Sequence, residues 1–184
     1  MIFNNRIPQF RNRKHWTPKY IKNRLALMLT DLLHPDWPML TKDAILWLDK
    51  RLTKSMVGIE FGGGRSTLWL AKRLFWLYSV EHDPLWVREA ENVANIVTGN
   101  FVLYALDYSA NALDFALIDG EQRDACALTM VDRLKSGGIL VVDDIERYNS
   151  SVSIVWACFF ASVSEWRYIH TTNGIRDTAI WIKP

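Results

Sequence analysis

The sequence predicts an α/β domain with a mostly parallel sheet, and three observations carry that expectation. From Met56 onward, short apolar runs alternate with helical patterns, the signature of βαβ units. A glycine-rich stretch, Gly62-Gly63-Gly64, falls between the first of these runs and the first helical pattern. The chain then ends in two strand-like runs, 166–170 and 178–182, joined through Asn173-Gly174, a strong hairpin signal.

A chain of 184 residues suits one domain. With 49% hydrophobic and 23% charged residues it is too apolar for intrinsic disorder. The nine tryptophans are expected to serve packing first. Net charge is +2 but unevenly placed: the first 24 residues hold Arg6, Arg11, Arg13, Lys14, Lys19, Lys22 and Arg24 and no acid. The other 160 hold 15 basic and 20 acidic side chains, a balance of −5. Such an arm can meet nucleic acid, anionic lipid or an acidic substrate, yet nothing in it specifies one, and we expect a solvated terminus with no clear nucleic-acid or membrane partner. It lacks the apolar run of a secretory signal. Cys126 and Cys158 sit in apolar helical patterns without metal-ligand spacing and read as buried, reduced thiols, so a cytoplasmic location is expected. The longest apolar run, 152–163, is too short to cross a bilayer and reads as a core helix.

Taken in order, residues 1–19 form the basic arm and 20–54 a helical cover. Within the cover a helix over 20–33 is broken by His34-Pro35-Asp36-Trp37-Pro38, and Thr41 caps a second helix to about Leu52, with Ile45, Leu46, Leu48 and Leu52 toward the core. The core spans 55–184. Strands are expected near 56–61, 76–81, 101–105, 114–118 and 138–142, with helices near 66–74, 84–95 and 122–135. Asp83 and Pro84 mark the start of the second of these helices, and Val97 falls on its apolar face. Gly137 and Gly138 are expected to close the third. A further helix runs from after Tyr148 to about Ser162, and the hairpin brings the count to seven strands.

The chemistry begins at Glu60-Phe61-Gly62-Gly63-Gly64-Arg65-Ser66-Thr67. Glycines there permit positive φ and let backbone press against a ligand, while amides at the next helix start suit an anionic group. A glycine loop alone is weak, but Glu81 closes the second strand 19 residues after Gly62. At that spacing its carboxylate can accept hydrogen bonds from both ribose hydroxyls of an adenosine.

Glu60-Phe61-Gly62-Gly63-Gly64 resembles the Glu-x-Gly-x-Gly loop of class I S-adenosylmethionine-dependent methyltransferases. Residues 113–120 look like that superfamily's fourth-strand motif, residues 134–144 its fifth-strand motif, and the terminal hairpin agrees with its strand order. Within it the chain looks closest to a small bacterial-type group, through His34-Pro35-Asp36, Ser79-Val80-Glu81-His82-Asp83, Asp119-Gly120 with Arg123, and Asp144-Ile145-Glu146-Arg147-Tyr148. The resemblance implies a Rossmann-like three-layer sandwich, S-adenosylmethionine as cofactor and a small-molecule acceptor, methylated at oxygen. It implies cofactor contacts from Glu60, Phe61, Gly62, Gly63, Gly64, Ser66, Thr67, Glu81, His82 and Asp119, with Asp107 toward the adenine amino group.

In open α/β sheets the ligand lies beyond the carboxyl ends of the strands, so Glu60, Glu81, Asp107, Asp119, Asp143 and Asp144 converge there. Several carboxylates together need compensation. Mg²⁺ is one answer, since Asp119 and Asp143-Asp144 resemble the ligands of catechol-type O-methyltransferases; but those carry Asp-Asn where this chain has Asp143-Asp144, and we expect no metal ligand set. Asp119 and Asp143 are then the candidate catalytic groups, orienting the methionine amino group or acting as general base. A nicotinamide-dependent oxidoreductase and a non-catalytic nucleoside-binding protein are the competing readings. The first lacks a spaced catalytic tyrosine or histidine, while Glu81 and Asp119 speak only for binding.

Overall fold

The computed structural model describes residues 17–81, 95–98 and 108–184, the second of these segments by its backbone alone. Two helices precede the sheet, α1 (Pro18–Leu33) and α2 (Lys42–Asp49). Thr17 caps α1 by accepting the Tyr20 amide on its hydroxyl at 3.1 Å. The core then runs β1 (Val57–Phe61), α3 (Arg65–Ala71), β2 (Trp76–Glu81), β3 (Asn95–Thr98), β4 (Leu113–Ile118), α4 (Arg123–Arg133), β5 (Leu134–Asp143), a 3₁₀ turn (Ile145–Arg147), α5 (Ile154–Ser162), β6 (Arg167–Thr172) and β7 (Asp177–Ile182).

Seven strands form one sheet in the order β3-β2-β1-β4-β5-β7-β6, parallel except for β7, which runs antiparallel to β5 and β6. Period-two alternation divides the core between the two faces. Ile59, Phe61, Ala116, Ile118, Leu140, Val142 and Trp181 pack against α4 and α5, with Cys126, Met130, Trp156 and Phe159. Phe115, Leu117, Ile139, Val141 and Ile180 pack against α2 and α3, with Ala44, Leu48, Trp69 and Leu70. The expected three-layer sandwich with its terminal hairpin is therefore what forms, and Gly174 (φ +75°) makes the turn.

Four local expectations give way to tertiary structure. The third strand lies at Asn95–Thr98, so the helix expected over 84–95 cannot carry Val97 on its face; the rest of that helix and the strand expected near 101–105 lie outside the described residues. Gly137 and Gly138 do not close a helix. Helix α4 ends at Arg133, and the two glycines belong to an irregularity in β5, where Leu134 pairs with Leu113 but the next pair is Ile139 with Phe115. Gly137 (φ +78°) lets the chain double back there, its amide donating to the Lys183 carbonyl at 2.8 Å. Leu46 and Cys158 are exposed rather than buried, each on the outer side of a short helix whose opposite side alone meets the sheet. Among the described residues no helix is long and apolar enough to cross a membrane.

Candidate functional site

Strands β1, β2, β4 and β5 end side by side, and the loops leaving them are tied together through backbone hydrogen bonds. The Gly62 amide donates to the Val80 carbonyl at 2.9 Å, and the Asp119 amide to the Phe61 carbonyl at 2.9 Å. Gly62 turns with φ +101°, and a Cβ placed there would stand 2.7 Å from the Gly120 amide. Only glycine fits that approach. A Cβ on Gly63 would lie 3.5 Å from Cβ of Glu81, so the acid at the end of β2 stands directly beside the glycine turn. A Cβ on Gly64 would meet nothing within 4 Å among the described residues, which leave that side of the turn open.

Beneath this turn Glu60 is fully buried. It lies on the α3 side of the sheet, where its Oε2 accepts from the Thr67 hydroxyl at 2.6 Å and from the Ser79 hydroxyl at 2.8 Å. Its carboxyl is pushed up to about 7, chiefly by burial with a smaller contribution from Glu81, against the opposing hydroxyls of Ser66, Thr67 and Ser79. Thr67 also takes the Gly64 amide on its Oγ1 at 2.9 Å, so that amide supports the loop instead of facing a ligand. Ser66 and Phe61 are likewise buried. Glu60, Phe61, Ser66 and Thr67 thus stand behind the loop, while Gly62, Gly63, Gly64 and Glu81 form its front. Arg65 pairs with Asp31 of α1 at 3.4 Å.

At the ends of β4 and β5 the carboxylates have guanidinium partners. Arg123, on the first turn of α4, donates to the carbonyls of Gly120 (2.8 Å), Asp143 (2.6 Å) and Asp119 (3.0 Å) and to Asp119 Oδ1 at 3.1 Å. Asp144 lies 3.5 Å from Arg123 and 3.1 Å from Arg147. Asp143 is buried and accepts the Thr178 hydroxyl on Oδ1 at 2.7 Å; Thr178 in turn accepts the Thr41 amide at 3.1 Å. Burial raises the pKa of both Asp119 and Asp143 above the usual carboxylate range. Arg123 opposes the rise at Asp119 and the Asp144 charge adds to it; at Asp143 the Asp119 charge adds to it and the Thr178 hydroxyl opposes it. Two of the non-glycine residues with positive φ, Gln122 and Asp144, sit in these same loops.

Next to Asp119 opens a cleft of about 480 Å³ lined by Gly120 to Asp124, Tyr148, Val152 and Trp156. Tyr148 stacks on Trp156 with ring centroids 4.8 Å apart.

Of the residues expected at the site, the fold brings Gly62, Gly63, Gly64, Glu81, Asp119 and Asp143 to the carboxyl edge of the sheet, whereas His82 and Asp107 lie outside the described residues. Among the described residues no three His, Cys, Asp or Glu side chains are grouped to hold a metal ion. Compensation of the acidic cluster comes from Arg123 and Arg147, which the sequence reading did not assign. For Arg123 the signal was present, an arginine four residues after Asp119 at a helix start. For Thr178 there was none, because its place beside Asp143 follows from the antiparallel register of β5 and β7.

Residues 59–145 match the family model of a methyltransferase domain. No curated protein matches the chain. Among solved structures, the fold is similar to a putative caffeoyl-CoA O-methyltransferase from Staphylococcus aureus (TM-score 0.59, 12% identity, covering 90% of this chain and 99% of that one). It is also similar to an rRNA methylase from Streptococcus thermophilus (0.58, 13%, 79% and 99%). A third is precorrin 8W decarboxylase from Methanobacterium thermoautotrophicum (0.57, 17%, 82% and 95%). The glycine turn of β1 and the acid closing β2 both lie within the segment that matches the methyltransferase-domain model, and the chain shares the fold of these solved structures.

Proposed function

We propose that the protein transfers a methyl group to an oxygen of a small-molecule acceptor held beside Asp119. The observation that carries this reading is the junction of the glycine turn with the ends of β2 and β4: Glu81 stands against Gly63, Asp119 is tied to Phe61, and space lies open over Gly64. S-adenosylmethionine, when bound, supplies a methyl group on a sulfonium that is already a good leaving group. The chain's own work is then to hold and orient. Glu81 accepts the ribose hydroxyls, the backbone of Gly62 to Gly64 admits the methionine moiety, and Asp119 orients the amino group. Asp107 and His82 would complete the adenosine contacts.

Asp119 and Asp143 are the proposed catalytic groups. A carboxyl raised above its usual range is better matched to accept the acceptor's proton near neutral pH than an ordinary aspartate. The rest of the rate comes from alignment of acceptor oxygen and methyl, an effect worth roughly 7–11 kcal/mol. A small acceptor is favoured by the size of the cleft beside Asp119, which suits a small ligand. Glu121 and Asp124 on its wall set it against a polyanion such as RNA.

Thermal shift tests the donor. S-adenosylhomocysteine at 100 times its dissociation constant adds about 2.7 kcal/mol, a rise of roughly 5–10 °C for a domain of this size. We expect that rise with the wild-type protein, none with Glu81→Ala, and none with NAD. A shift with NAD alone supports the oxidoreductase instead. A shift with S-adenosylhomocysteine but no methyl transfer from labelled donor to any pool of small hydroxylated compounds supports a binding protein.

A further inference from the structure

Helix α1 is amphipathic with its apolar side turned outward. Ile21, Leu25, Met28, Leu29, Leu32 and Leu33 recur at the spacing of a single helical stripe and are 41–76% exposed, and no residue of the helix is buried. Asn23 and Asp31 face the domain instead: Asp31 pairs with Arg65 at 3.4 Å, and the Asn23 amide occupies the space a Cβ on Gly174 would need. A stripe of this kind, about 20 Å long at 1.5 Å per residue, marks a surface that something covers.

Charge selects the occupant. The only acid on α1 is Asp31, which is taken by Arg65, while Lys19 and Lys22 are exposed. Counting back along the sequence, the first 24 residues carry seven basic side chains and no acid. A second copy of the chain would bring Lys19, Lys22 and Arg24 against their own like charges. Nucleic acid would satisfy the charges but leave the leucine stripe in water. An anionic lipid surface meets both demands, taking the apolar stripe at the headgroup–acyl boundary and the lysines and arginines at the headgroups. We infer that α1, with its Lys19, Lys22 and Arg24, docks the domain onto an anionic membrane surface, lying along it and not across it. The Asp31–Arg65 pair joins α1 to the first residue of α3, so docking holds the glycine loop close to that surface. This inference stands independently of the methyl-transfer reading.

Flotation of the full-length protein with phosphatidylcholine vesicles, with and without phosphatidylglycerol, tests it. The wild-type protein is expected to float only with the anionic vesicles and to be released by high salt. Leu29→Glu/Leu32→Glu should lower vesicle partitioning by at least roughly tenfold with the melting temperature unchanged. Lys19→Glu/Lys22→Glu should lower it by about fivefold or more per side chain. Absence of binding to anionic vesicles, or binding that persists in the double leucine variant, overturns the inference. So does a wild-type dimer that the leucine variant converts to monomer, because the stripe then covers itself. A fall in melting temperature in that variant does likewise, since the stripe is then already covered by its own chain.

Discussion

Two buried carboxyl groups near the ends of strands that flank β4, Glu60 on β1 and Asp143 on β5, live in different surroundings. Glu60 is enclosed by neutral hydroxyls of Thr67 and Ser79, with a loop folded over it. Asp143 also takes a hydroxyl, from Thr178, but its neighbours are charged: Asp119 and Asp144 beside it, Arg123 bonded to its own carbonyl. The first environment fixes a backbone shape. The second keeps a titratable group beside Asp119 while arginines limit the cost of clustering acids. The position of a carboxylate at a strand end therefore does not decide its role; what surrounds it does.

The comparison is broken most forcefully on the scaffold side. Gly62→Ala places a methyl 2.7 Å from the Gly120 amide at a residue with φ +101°, combining strain with overpacking. A loss of about 4 kcal/mol is expected, with abolished S-adenosylhomocysteine binding, read by urea unfolding and calorimetry. On the charged side, Arg123→Met strips a donor from three carbonyls and a partner from Asp119, at a cost of about 3 kcal/mol. A variant as stable as wild type would show that the acids are compensated elsewhere.

Glu60 sharpens the contrast through pH. The folded protein holds its proton to about pH 7, against 4.5 for the ordinary side chain, so the wild-type chain has its full stability below pH 4.5 and loses it as pH rises through 7. Glu60→Gln lacks that loss. The stability difference in favour of the variant should therefore widen from pH 5 to pH 8, by up to about 3 kcal/mol. A constant difference would mean that Glu60 is ionised in the fold. The smallest effect is expected at Thr178→Val. Losing the hydroxyl that lowers the Asp143 pKa moves the acid limb of the kcat/KM profile upward by up to about one pH unit and leaves the plateau rate unchanged.

Much of this molecule is legible along the chain because its signals are local. The short apolar runs of β1, β4, β5 and β7, the Gly62-Gly63-Gly64 turn, the spacing to Glu81 and the Asn173-Gly174 hairpin each occupy a few neighbouring residues, and burial on both faces and backbone sterics translate them directly into structure. Where a reading failed, the deciding contact was distant. Gly137 and Gly138 look like a helix end until the Lys183 backbone pairs with them across the sheet.

The sequence by itself determined the layered α/β architecture, the glycine turn and the acids that meet at its edge, since these follow from periodicity and from conformations open to few residue types. Only the tertiary structure decided that Glu60 stands behind the loop, that Arg123 balances Asp119, that Thr178 faces Asp143 and that the apolar side of α1 turns outward. Each of these depends on strand register or on burial, which are properties of the assembled layers and of the water they exclude, and no run of neighbouring residues encodes them.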